Sequence, residues 1–202
     1  MSDLRRGIIG GTFDPPHLGH LVLAANARYD LQLDEVWFIP TGDPYRKAGR
    51  AITPRGIRLR MVESLIDGLS WAHVSTIELD RDGPTYTTDT LRELAGDGGE
   101  WWFILGSDAL GDLPHWREPE TIIEQVRLGL ARRPGVGELK ISSETLSAVP
   151  GIESRVDHVE MPMLGISSTD LRQRVREGRP TDFLVTPAVS ALIDELGLYK
   201  DS

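Results

Sequence analysis

The stretch Gly10-Gly11-Thr12-Phe13-Asp14-Pro15-Pro16-His17-Leu18-Gly19-His20 gathers two glycines, a carboxylate and two imidazoles into one short segment. Paired glycines let backbone amides approach an anion closely, because no Cβ stands in the way. His17 and His20 are three residues apart and share a face once the segment turns helical. A helix starting there offers unpaired N–H groups and the positive end of its dipole to an anion. The two rings can donate hydrogen bonds to phosphate oxygens, neutral or charged, or ligate a metal as neutral imidazoles. Taken alone they leave both chemistries open, beside a purely structural role. Gly19 between them leaves room for a bulky ligand over that face. No Gly-Lys-Ser/Thr follows, so this is not a Walker A loop, and the GxGxxG fingerprint is absent.

A second cluster lies about 150 residues further on, Ile166-Ser167-Ser168-Thr169-Asp170-Leu171-Arg172. Ser167 or Ser168 can cap a helix beginning there, while hydroxyls and amides at its start receive phosphate. Arg172, one turn inside, can reach the same anion. The alternative is an ordinary cap followed by an exposed arginine.

Elements that alternate between strand and helix must position these groups. Arg6 to Gly10 reads as a buried strand feeding a tight turn, and Leu18 to Leu31 as a helix. Glu35 to Pro40, Trp71 to Leu79, Glu100 to Leu105, Val126 to Ala131 and His158 to Met161 read as further strands. Helices are expected over Pro54 to Leu69, Thr87 to Leu94, Pro119 to Gln125, Ser142 to Val149, Ser168 to Glu177 and Pro187 to Leu196. That order implies an α/β fold with a mainly parallel sheet covered on both faces. The histidine segment then falls at the carboxyl end of the first strand, where open α/β sheets bind ligands. Thr41 to Thr53 and Arg133 to Glu138, rich in glycine and charge, read as flexible loops.

Composition narrows the class. The chain has 202 residues, 22 basic against 31 acidic, and a net charge of −9. One domain over residues 1–202 is expected. The acidic balance argues against general nucleic-acid binding. With no cysteine, thiol nucleophiles, disulfides and cysteine-based metal sites are excluded. Apolar runs stop at five residues, against the roughly 20 of a membrane span, and Ile8-Ile9 is too little for a secretory core. A soluble, cytoplasmic protein is expected.

The form GGTFDPPHLGH resembles the signature of the HxGH/TxGH nucleotidyltransferases, and Ile166 to Arg172 resembles their ISSTxxR motif. Both occur in the expected order, a far more specific match than either half. From Gly7 to Tyr199 the chain is similar to the bacterial nicotinate-nucleotide adenylyltransferases. Pro84-Thr85-Tyr86-Thr87, Gly106-Ser107-Asp108-Ala109-Leu110, His115-Trp116 and Arg132-Arg133-Pro134-Gly135 carry that likeness. The resemblance implies a Rossmann-like, doubly wound fold with a small C-terminal helical part. It also implies transfer of AMP from ATP to nicotinate mononucleotide in NAD biosynthesis, with magnesium arriving on the ATP and no dedicated protein metal site.

Under the same resemblance, Gly10, Gly11, Thr12, Phe13, His17, His20, Ile166, Ser167, Ser168 and Arg172 form the ATP site. His17, His20 and Arg172 act on the reacting phosphates. Thr85, Tyr86, Asp108, Trp116, Lys47 and Arg133 serve the mononucleotide: Trp116 stacks on the pyridine ring, amides near Thr85 and Tyr86 read its carboxylate, and Asp108 meets ribose hydroxyls. Either Arg46 or Lys47 takes the loop-cation role. Trp37, Trp101 and Trp102 read as core, while His73, His115 and His158 read as structural or exposed. Oligomeric state, a homo-oligomer included, stays open. Competing functions are an adenylyltransferase for another acceptor, a silent nucleotide sensor that keeps the fold, and a flavodoxin-like binding domain.

Overall fold

The structure is a computed structural model and describes residues 4–43, 52–96, 98–132 and 141–200. Six strands, β1 (Arg5–Gly11), β2 (Glu35–Pro40), β3 (Ala72–Val74), β4 (Glu100–Gly106), β5 (Arg127–Arg132) and β6 (Val156–Glu160), pair in the order β3-β2-β1-β4-β5-β6. Every pairing is parallel. Parallel neighbours need a crossover, and helices supply it: α1 (Leu18–Asp30), α2 (Arg55–Ile66), α3 (Thr87–Ala95), α4 (Ser107–Asp112), α5 (Pro119–Gln125) and α6 (Ser143–Ala148). Two more, α7 (Ser168–Arg176) and α8 (Pro187–Glu195), form the C-terminal helical part.

Successive strand residues point to opposite faces, and the apolar runs split accordingly. Ile9, Phe38, Trp102 and Ile104 join one buried cluster with α1, α2, α7 and α8 residues such as Ala24, Met61, Leu171 and Val189. Ile8, Ile39, Trp101, Phe103 and Leu105 join another with Leu91, Leu113, Ile122 and Leu128. A strand buried on both sides has no polar face to show, which is why EWWFIL reads as a continuous apolar run.

The chain leaves β1 for β2 and β3 on one side, then returns to place β4 on the other side of β1. The loops after β1 and β4 therefore diverge at their carboxyl ends and open a crevice at the switch point.

The third strand is much shorter than Trp71 to Leu79. After Val74 local bonds compete with the ladder: Ser75 Oγ accepts from the Ile77 amide at 3.3 Å, and Thr76 Oγ1 donates to Asp80 Oδ2 at 2.7 Å. The chain turns out of the sheet there. Trp37 also differs from expectation, being half-buried with its indole N–H on Glu35 at 3.1 Å. Trp101 and Trp102 are core. His73 packs on Trp37, and His115 and His158 are exposed. Most of the two stretches read as flexible lies outside the described residues. Among the described residues no helix is long and apolar enough to cross a membrane.

Candidate active site

β1 runs into the histidine segment through a tight, buried turn. Phe13 takes a left-handed φ of 50° and is 2% exposed. Its ring folds back so closely that a Cβ on Gly11 would lie 3.2 Å from it. The same ring meets His20 edge-on at 4.9 Å. Phe13 is thus a platform beneath His20, with its side chain buried. Asp14 is buried as well: Oδ1 accepts from the Tyr199 hydroxyl at 2.7 Å and Oδ2 from the Thr53 amide at 3.3 Å. Burial raises the Tyr199 hydroxyl above its ordinary pKa, so it stays a donor.

His17 is the N-cap of α1 in extended backbone, and the Leu18 amide is held by the Leu184 carbonyl at 2.9 Å. The His17 amide donates to His20 Nδ1 at 3.1 Å, and the two rings stack at 3.8 Å. With Nδ1 an acceptor, a neutral His20 carries its proton on Nε2. Burial lowers the His17 pKa to about 4. Burial, and then the neighbouring His17, hold His20 well below its ordinary value, against a backbone hydrogen bond with His17. Both rings are neutral at pH 7. Gly19 makes room for His17 itself, correcting the idea that it clears space for ligand: a Cβ there would lie 2.9 Å from His17 Nδ1.

The second motif docks onto this loop. Ser167 is the N-cap of α7, its Oγ accepting from the Asp170 amide at 3.1 Å. Ser168 Oγ donates to the Pro15 carbonyl at 2.8 Å, and Arg172 Nη1 to the Asp14 carbonyl at 2.6 Å. Arg172 Nη2 also donates to Thr169 Oγ1 at 3.3 Å. The Ser168 hydroxyl thereby spends its proton inside the protein, while exposed Ser167 accepts through Oγ and keeps its own O–H donor. Arg172 is half-buried, and a guanidinium has five N–H donors, so part of its fork remains for an anion. Ile166 is half-buried against the core.

Beside the switch point lies a cavity of about 260 Å³, lined by Gly10, Gly11 and Thr12 at the end of β1, and by Glu78, Thr85, Thr87, Phe103 and Trp116. Trp116 meets Phe103 edge-on at 6.0 Å, and its buried Nε1 has no hydrogen-bond partner among the described residues. It is a wall of the cavity. Tyr86 is the N-cap of α3, with the Arg117 guanidinium 4.6 Å over its ring. The Thr85 amide, expected to read a carboxylate, already donates to the Asp43 carbonyl at 3.2 Å. Asp108 falls in the first turn of α4 at the end of β4. Its side chain, Arg46, Lys47 and Arg133 lie outside what is described.

Sequence reasoning missed two buried charges. Arg58 is 2% exposed and donates to four carbonyls: Thr53 at 2.9 Å, Thr12 at 2.9 Å, Thr41 at 2.7 Å and Gly42 at 3.2 Å. It ties the loops after β1 and β2 to the start of α2. Its spacing from Met61, Val62 and Leu65 puts an arginine on the apolar face of α2, and that was the available signal. Glu78 is 8% exposed and accepts from Thr90 Oγ1 at 2.9 Å. Burial raises its pKa, against the donors Thr90, Thr85 and the Gly42 amide. Gly42 sits between the two charges, and a Cβ on it would lie 2.1 Å from the Glu78 carbonyl oxygen. Glu78 follows the unforeseen turn, so nothing in the pattern marked it.

Residues 8–174 match the cytidylyltransferase-like family. A probable nicotinate-nucleotide adenylyltransferase from Roseiflexus sp. is 44% identical over 202 residues, covering 99% of this chain and 100% of that one. One from Desulfitobacterium hafniense is 41% identical over 198 residues, covering 97% and 96%. The chain belongs to the nicotinate-nucleotide adenylyltransferase family. The family fold is met in full as well. A Plasmodium falciparum nicotinic acid mononucleotide adenylyltransferase complexed with NaAD superposes with a TM-score of 0.75, at 22% identity and 97% coverage of both chains. The resemblance carried by the two motifs is thus borne out for family and for fold.

Proposed function

We infer that this chain transfers AMP from ATP to nicotinate mononucleotide, giving deamido-NAD and pyrophosphate. The observation that carries the reading is the docking of the second motif onto the histidine loop, through Ser168 on Pro15 and Arg172 on Asp14. One anion-binding surface is built from both ends of the chain, in a member of this family.

The 5′-phosphate oxygen of the mononucleotide attacks the α-phosphorus of ATP in line. The bond from that phosphorus to the bridging oxygen breaks, and pyrophosphate leaves with the electron pair. Such transfer depends on positioning and charge stabilisation rather than covalent catalysis. Neutral His17 and His20 suit that task, since they donate from ring N–H groups without losing a proton. The remaining donors of Arg172 meet the leaving pyrophosphate. Trp116 offers its indole face to the pyridine ring. With the Thr85 amide committed, Thr87 at the start of α3 is the cavity-lining group placed to meet the carboxylate.

Magnesium bound to the triphosphate and its own waters neutralises phosphate charge. Asp14, the carboxylate of the histidine loop, is engaged through both oxygens. The His17 and His20 rings stay clear for phosphate hydrogen bonds.

Pyrophosphate release with ATP and magnesium, compared for nicotinate mononucleotide, nicotinamide mononucleotide and phosphopantetheine, tests the assignment. A preference of about a hundredfold for the nicotinate form, near 2.7 kcal/mol, is expected. Equal use of acid and amide overturns the carboxylate contact, and release with none of the three overturns the function.

A further inference from the structure

Glu78 shares the cavity wall with Trp116 and Phe103 and has no part in the phosphate chemistry. Its neighbours reach it as donors. The Thr90 hydroxyl accepts from Arg81 Nη1 at 2.8 Å, so its own proton is free to go to Glu78 Oε1, 2.9 Å away. The Gly42 amide and the Thr85 hydroxyl act on the carboxyl in the same sense. Glu78 is therefore arranged as an acceptor-only anion. Arg81 reaches it through Thr90 and, more weakly, through its charge, and is itself paired with Glu93 at 2.6 Å. A buried anion with no cation at ion-pair distance among the described residues is costly, and burial accordingly pushes this carboxyl above its ordinary range.

A cation entering the cavity would relieve that cost, and the aromatic walls attract one too. An apolar lining disfavours a compact, strongly hydrated ammonium and suits a flat cation whose charge is spread over a ring. We infer that Glu78 is the counter-charge for the pyridinium ring of the mononucleotide, a substrate-binding role separate from recognition of the carboxylate. The ring qualifies because its nitrogen, bonded to ribose C1′, has no lone pair and carries a formal positive charge. The inference rests on the substrate reading above and adds what that reading lacks, a partner for the ring's charge.

The test is calorimetric titration of the wild-type protein and Glu78→Gln with two ligands. One is nicotinate mononucleotide. The other is the benzoic-acid C-ribotide, in which carbon replaces the ring nitrogen, so that shape, carboxylate and phosphate stay while the ring charge goes. The wild type should bind the pyridinium at least tenfold more tightly, about 1.4 kcal/mol. Glu78→Gln should lose about tenfold on the pyridinium and change less than twofold on the C-ribotide. Equal affinity of the wild type for the two ligands overturns the inference, whether or not the variant folds. So does an equal loss on both in Glu78→Gln, which would make Glu78 a clamp for Gly42 and α3 only. A wild type that binds neither ligand overturns the substrate reading itself.

Discussion

Replacing Gly19 by alanine separates stability from catalysis. Gly19 lies in the first turn of α1 with an ordinary negative φ, so alanine is compatible with its backbone. Alanine in a helix is favoured over glycine by up to about 1 kcal/mol. The new Cβ would stand 2.9 Å from His17 Nδ1 and 3.1 Å from Cε1, where ordinary contact begins at 3.4 Å. The loop before His17 cannot give way easily, because Asp14, Pro15 and Leu18 are each held from the C-terminal part of the chain. The His17 ring must therefore retreat by about 0.5 Å and disturb its stack on His20, at an off-rotamer cost of about 1 kcal/mol that cancels the helix gain. Misplacing a catalytic group by about 1 Å costs on the order of a hundredfold. Gly19→Ala should thus lower kcat by about 10- to 100-fold in the pyrophosphate assay, with Tm within a few degrees of wild type. Gly56→Ala is the control: it is also helical, nothing lies within 4 Å of its new Cβ, and kcat should not change. Wild-type kcat in Gly19→Ala would refute the argument that this glycine exists to seat His17.

Acid should weaken the fold through the histidine pair. Both folded-state pKa values lie below the unfolded 6.5, so the unfolded chain takes up protons first as pH falls. The neutral burial is therefore favourable above pH 6.5 and is lost as pH drops towards 4, His17 alone accounting for about 3 kcal/mol. Urea unfolding at pH 7.5 and pH 5 should show about 2 kcal/mol of that loss, and His17→Gln should flatten it; an unchanged slope would sink the assignment. Arg58→Lys should cost at least about 3 kcal/mol in urea unfolding, since a lysine cannot present the fork that reaches four carbonyls. A cost below about 1 kcal/mol would remove Arg58 as the tie between the loops. Trp116→Ala should raise KM for the mononucleotide about tenfold while KM for ATP moves less than twofold. An unchanged mononucleotide KM would count against stacking.

The histidine segment and the Ile166 to Arg172 motif were legible because their chemistry is written in residue type and spacing, whereas Trp116 came forward only through the resemblance to the family. Thirteen expected elements appear with ends shifted by a few residues, β3 alone being cut to a remnant by the hydroxyl bonds of Ser75 and Thr76. Phe13 and Thr85 show what adjacency in sequence to a site leaves open, namely which way a side chain or an amide faces. Phe13 turns inward through its positive φ, and the Thr85 amide is spent on Asp43.

By itself the sequence determined the α/β alternation, the two motifs and the family, since hydrophobic period and local motif chemistry are properties of neighbouring residues. Only the tertiary structure decided the rest. It brought Arg172 to Asp14 and Ser168 to Pro15 across the length of the chain. It made both histidines neutral by burying them, and it placed Arg58 and Glu78 on either side of Gly42. Burial and long-range hydrogen bonds are set by what packs against a residue, and those neighbours are distant in the chain.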